Sequence, residues 1–135
     1  MRWTKRLMLA APLVAGMSYA AHAGGFDFDG AWATDAAVCS KIFVRNNNGV
    51  SISRDSDLYG SGFIVDGDKI RGKMAVCTIK ARKEGEKTLN MVAVCSSDIA
   101  LSTVQFMLRI EDNDKVTRMY PGIPELGVSY VRCPP

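Results

Sequence analysis

The chain has 135 residues, with 17 Lys and Arg against 14 Asp and Glu, four Cys and one His. Its positive excess is Arg2, Lys5 and Arg6, so the rest is balanced and makes no electrostatic case for nucleic acid or a membrane surface. The one His, His22, lies in an expected leader; without it no imidazole remains for a Ser-His-Asp or Cys-His site, or for His-ligated zinc or haem.

Met1 to Arg6 is basic, Leu7 to Met17 is apolar, and Ala21-His22-Ala23 is a small-x-small cleavage pattern. This layout predicts an export signal over 1–23 and a single domain over 24–135, periplasmic or secreted. The apolar run falls short of the about 20 residues a spanning helix needs. No later run is longer, so no transmembrane segment is expected. The first Cys is Cys39, too far from the run for a lipid anchor.

Helical signal in the expected domain is thin. Thr34 to Val38 suits one turn after a Thr or Asp cap, and Ser96 to Ser102 could hold another. Strand signals dominate. Lys41 to Arg45 and Val50 to Ser53 flank Asn46-Asn47-Asn48-Gly49, a hairpin signature. Asp55-Ser56-Asp57-Leu58-Tyr59-Gly60, with Asp66 beyond, loosely copies a calcium loop, but Tyr59 stands where an oxygen ligand is needed. A polar turn is the expectation, and no metal or other cofactor is expected. Phe63 to Val65 and Lys69 to Arg71 flank a second turn, Asp66-Gly67-Asp68. If Ile70 faces inward, even positions point in up to Met74 and odd positions from Ala75, so a bulge or corner is predicted within Gly72 to Ala75.

The cysteines fall into this pattern. Ala75, Cys77, Ile79 and Ala81 share one strand face; Leu89, Met91, Ala93 and Cys95 share one face of the next. Placing Ala81 opposite Met91 sets Ile79 opposite Ala93 and Cys77 opposite Cys95 on a buried face. Cys39 and Cys133 remain as the second pair. An even Cys count in a small exported domain reads as a disulfide framework, and no Cys-x-x-Cys pair favours zinc. Val104, Phe106, Leu108 and Ile110 then alternate with Thr103, Gln105, Met107 and Arg109. That strand turns at Glu111 to Asp114 into Val116 to Tyr120. After Pro121-Gly122-Ile123-Pro124, Val128 to Cys133 reads as the last strand. The expected fold is all-β, an antiparallel meander in a small closed or nearly closed barrel with one or two short helical turns. A β-sandwich is the alternative.

Gly30-Ala31-Trp32 at the start and Arg132 near the end resemble the first-strand Gly-x-Trp and last-strand Arg of lipocalin-like (calycin) barrels. The resemblance implies that Trp32 closes one end of the barrel and Arg132 packs across it. The spacing of Trp32, the four Cys and Tyr130 to Cys133 also resembles small four-cysteine periplasmic proteins of alphaproteobacteria; that likeness implies location and no activity.

Lys69, Arg71 and Lys73 alternate along one strand and Lys80 and Arg82 along another, so neighbouring strands would present a basic surface to an anionic partner. The plainer reading is a solvated sheet face. The acids sit in turns or near the expected mature start rather than mid-strand, so no catalytic residues are assigned and no enzyme activity is expected. The expected function is a non-catalytic, monomeric extracytoplasmic binding module. Its partner would be another protein, which it inhibits or adapts, or an anionic envelope component. The alternative is a calycin-like carrier of a small apolar ligand, which needs an open interior lined by residues such as Phe106, Leu108, Met91 and Ile79.

Overall fold

In the computed structural model, residues 25–135 are described; the expected signal 1–23 and its cleavage point before Gly24 lie outside them. Ten strands form among the described residues, eight of them in one closed antiparallel barrel. The barrel strands are β1 (Gly30–Ala33), β4 (Gly62–Asp66), β5 (Lys69–Arg71), β6 (Val76–Glu84), β7 (Thr88–Ser96), β8 (Leu101–Asp112), β9 (Lys115–Met119) and β10 (Val128–Arg132). From β4 to β10 each pairs with the next, and β1 closes the ring between β10 and β4. A closed sheet has no free edge, so every central strand finds its backbone partners inside the ring.

Alternation decides which side chains enter the barrel. Trp32, Val65, Ile70, Cys77, Leu89, Met91, Ala93, Cys95, Leu108 and Val116 are buried in its interior cluster. The expected Cys77–Cys95 and Cys39–Cys133 disulfides are both present. Cys77 pairs with Cys95 and Ile79 with Ala93, but the predicted Ala81–Met91 pair does not form. One extra residue, Lys80, bulges from β6, so Ala81 meets Val92 and Arg82 meets Met91. A bulge reverses the facing of every later residue on its strand. The corner expected within Gly72 to Ala75 is the β5–β6 reversal, where the Gly72 N–H donates to the Ala75 carbonyl at 2.8 Å.

The connection from β1 to β4 packs outside the barrel. It holds a 3-10 turn at Ala36–Val38, helix α1 (Cys39–Ile42), the hairpin of β2 (Phe43–Asn46) and β3 (Gly49–Ile52), and a 3-10 turn at Ser56–Leu58. The Asp35 carboxylate caps the first turn by accepting from Ala37 N–H at 2.9 Å. Lys41 and Ile42, expected in a strand, belong to α1, and the helical turn considered for Ser96 to Ser102 is a tight reversal from Ser97 to Ala100. Ile42 and Phe43 fill a second core with Ala31, Ala33, Ile64 and Cys133 on the outer face of β1 and β4. Gly62 is where this layer meets the barrel: a Cβ there would stand 2.8 Å from the Trp32 carbonyl oxygen and 2.8 Å from Phe43.

Candidate functional site

The two ends of the barrel differ. At one end lie the start of β1, the end of β10 and the β4–β5, β6–β7 and β8–β9 turns. Residues 25–29 cross that end and close it. Phe28 is buried and its ring centroid lies 5.6 Å from that of Trp32, which is fully buried. The Trp32 indole N–H donates to the Phe28 carbonyl at 2.9 Å. Above the indole, the Arg132 guanidinium carbon sits 4.4 Å from the ring centroid. Arg132 donates to the Asp27 carbonyl at 2.6 Å, the Asn113 carbonyl at 2.8 Å, the Asp114 carboxylate at 3.0 Å, and the Asp29 carbonyl. One planar donor group thus ties three chain segments over one aromatic ring.

A second clamp comes from the bulged strand. Turned by Lys80, Arg82 donates to the Phe26 carbonyl at 2.5 Å and to the Glu84 carboxylate, which accepts from the Phe26 N–H at 3.2 Å. The Arg82 hydrogen bond holds the Glu84 carboxyl below its ordinary range, with the Phe26 N–H adding to the effect.

The other end is open. It is framed by the β1–β4 connection and the β5–β6, β7–β8 and β9–β10 turns. Beneath it lies a cavity of about 210 Å³. Phe28 forms its floor; Phe63, Ile70, Cys77, Met91 and Leu108 form its walls. Phe106, Arg118 and Tyr130 stand near the mouth with Ser61, Gly72 and Ala75. Three of the four interior residues expected for a carrier, Phe106, Leu108 and Met91, line the space; Ile79 packs against the core without lining it. Burial raises the pKa of the Tyr130 phenol, opposed by the nearby Arg118 charge and a hydrogen bond with Ser61. Each connection at the mouth carries exposed apolar side chains, among them Leu58, Met74, Ile99 and Leu126.

The basic surface is rearranged. Lys69 and Arg71 lie on β5, paired with Thr78 and Val76 of β6. Lys69 donates to the Thr78 hydroxyl at 2.7 Å and Arg71 to the Val50 carbonyl at 3.2 Å. Lys73 sits in the β5–β6 turn and pairs with Asp57. Lys80 is exposed at the bulge, and Arg82 is spent on the barrel's closed end. The five cations therefore do not form one continuous outward stripe. Asp55 to Gly60 folds as a turn with the Ser56 side chain buried. Among the described residues, no three His, Cys, Asp or Glu gather closely enough to hold a metal ion. Likewise, no helix among them is long and apolar enough to cross a membrane.

Arg118, Tyr130, Phe63 and Phe28 are among the lining residues that the sequence pattern did not assign to a site. The signal was available for Arg118: Val116 and Arg118 share a face of β9, and Val116 is fully buried.

The closed eight-stranded antiparallel barrel with two disulfides is consistent with a calycin-like fold. No family model, no curated protein and no solved structure matches the chain.

Proposed function

We propose that the exported domain is a non-catalytic carrier that holds one small, largely apolar molecule inside the barrel. The open, apolar-walled cavity carries this reading. An eight-stranded barrel is just wide enough to be filled by its own side chains or to hold one small ligand. Here the side chains leave an apolar-walled space beneath the open end. The plug of Phe28, Trp32 and Arg132 gives that space a rigid floor. Exposed apolar side chains around the mouth let an apolar cargo pass between another apolar surface and the interior with less contact with water. Docking through a basic face draws less support, because Lys69, Arg71, Lys73 and Arg82 already have partners within the fold.

Size limits the cargo. A dry cavity of about 150 Å³ accommodates benzene. In proportion, the present one suits a body of about eight or nine non-hydrogen atoms, well below a long-chain lipid. The test is calorimetric titration of the oxidised protein with octan-1-ol. One-to-one binding, little affected by salt and lost in Ala75→Phe, which blocks the mouth, is the expected result. Absence of saturable octanol binding by the folded protein overturns the carrier reading.

A further inference from the structure

We infer that the ligand carries an anionic head, a carboxylate, which Arg118 binds at the cavity mouth while the apolar body fills the space below. This rests on the carrier reading and specifies the chemistry of its cargo.

Arg118 lies on the inward face of β9, two residues beyond the fully buried Val116. Its guanidinium carbon is 4.6 Å from the Phe106 ring centroid and 4.9 Å from that of Tyr120. These rings fix the cation in place without neutralising it. Among the described residues, no carboxylate comes within 4.0 Å of Arg118, and its side chain donates no hydrogen bond. The other cation on an inward, ring-stacked position, Arg132, is spent on three carbonyls and a carboxylate.

A half-buried guanidinium bordering an apolar cavity bears a desolvation cost that an anion would offset. The fork of an Arg matches a carboxylate through two parallel hydrogen bonds. The Tyr130 and Ser61 hydroxyls border the same mouth and offer further donors. The floor, Phe28, is apolar, so the charged end can be satisfied only at the top. Head and tail are therefore oriented by the barrel itself.

The experiment compares octanoate, octan-1-ol and octylammonium against wild type, Arg118→Met and Arg118→Lys, at neutral pH by calorimetry. Wild type is expected to bind octanoate at least about tenfold more tightly than octanol, as a hydrogen-bonded charged group implies, and octylammonium least. R118M should bring octanoate down to the octanol level and leave octanol unchanged, while R118K should fall between. Octanol should displace octanoate, since both occupy one cavity. Among the described residues Arg118 has only its two ring contacts to lose, so the urea midpoint of ligand-free R118M should stay close to that of wild type, the lost stacking being offset by relief of an uncompensated charge. Equal octanoate and octanol binding, or octanoate binding indifferent to R118M, overturns the anionic head and leaves the carrier reading standing. Octanoate that octanol cannot displace also overturns it. A large loss of stability in R118M would make Arg118 a structural residue and likewise overturn the inference. If neither octanol nor octanoate binds wild type, both readings fall.

Discussion

Replacing Arg132 by Met keeps an apolar stem over Trp32 and removes everything the guanidinium does. Three backbone carbonyls lose a charged donor. At the closed end of the barrel each bond is worth about 1 kcal/mol net, because a freed carbonyl partly recovers water. The stacked cation over the fully buried indole, 4.4 Å from its centroid, adds about 1 kcal/mol or slightly more. The ion pair with Asp114 adds little, since that carboxylate side chain is 75% exposed and well screened. Together these come to about 4 kcal/mol, a large part of the stability of a domain this size. With a urea m value of about 1.5 kcal/mol/M, the midpoint should fall by about 2.7 M. Arg132→Lys retains a cation over the ring but not the fork, so it should lose roughly half as much. Equilibrium urea unfolding followed by near-ultraviolet circular dichroism measures both. An R132M midpoint within 0.5 M of wild type would mean that residues 25–29 are held by apolar packing alone, and the clamp argument would fail; the 0.5 M threshold corresponds to about 0.75 kcal/mol at that slope.

The two disulfides should contribute unequally. Their sequence separations are 94 for Cys39–Cys133 and 18 for Cys77–Cys95, for which loop entropy gives about 4.7 and about 3.2 kcal/mol. The double Ala variant of the long bridge should therefore unfold at lower denaturant than that of the short one; the reverse order would mean native packing outweighs chain entropy. Gly62→Ala should destabilise by about 1–3 kcal/mol, as overpacking does, because the new methyl meets the Trp32 backbone oxygen as well as Phe43. A neutral outcome in thermal unfolding would show that the outer layer yields. Glu84 titrates in the folded state below its ordinary value because Arg82 and the Phe26 N–H bind its charged form. The unfolded chain therefore takes up the proton first. The contribution is complete above about pH 4.3, the ordinary Glu value, and is lost as pH falls through the lowered folded value. Hydrogen exchange at the Phe26 amide should accelerate in acid beyond the intrinsic trend. Glu84→Gln should flatten that response, and an unchanged profile would count against the clamp.

Much of the barrel was legible because a two-residue period forces the answer. Cys77 and Cys95 could meet only if Ile79 met Ala93, and a one-residue slip would have put Leu89 and Met91 in water. The Lys80 bulge was not legible. Thr78, Lys80 and Arg82 look solvent-facing in either register, and Ala81 is too small to vote for a side. What turns Arg82 inward is Phe26, 56 residues away in sequence. Helix α1 was hidden for a related reason: Ile42 and Phe43 read locally as strand residues, yet Ile42 packs where Gly60 and Gly62 leave room for it. Tertiary packing decides such short segments against their propensity. The cavity was least legible of all, because its lining comes from seven barrel strands and an N-terminal segment, and no local pattern states how much volume their side chains fail to fill.

Arg118 and Arg132 put the same side chain on neighbouring strands, β9 and β10, and both stack on aromatic rings. Their surroundings are opposite. Arg132 donates four hydrogen bonds to groups of the protein, whereas Arg118 faces a cavity and, among the described residues, has no hydrogen-bond acceptor or carboxylate partner. The same Arg→Met exchange should therefore change stability by very different amounts. R132M should lose about 4 kcal/mol. R118M should change stability by no more than about 1 kcal/mol, since the lost stacking on Phe106 and Tyr120 is offset by relief of an uncompensated charge beside apolar walls. The pair forms an internally controlled test, with one chemical change, two adjacent strands and one denaturation assay. If both variants lose stability equally, Arg118 is held by the fold after all, and the contrast between a closed end built for stability and an open end built for a ligand disappears. If only R132M loses several kcal/mol, the cation at the mouth adds little to the fold and its place there is explained by what it binds.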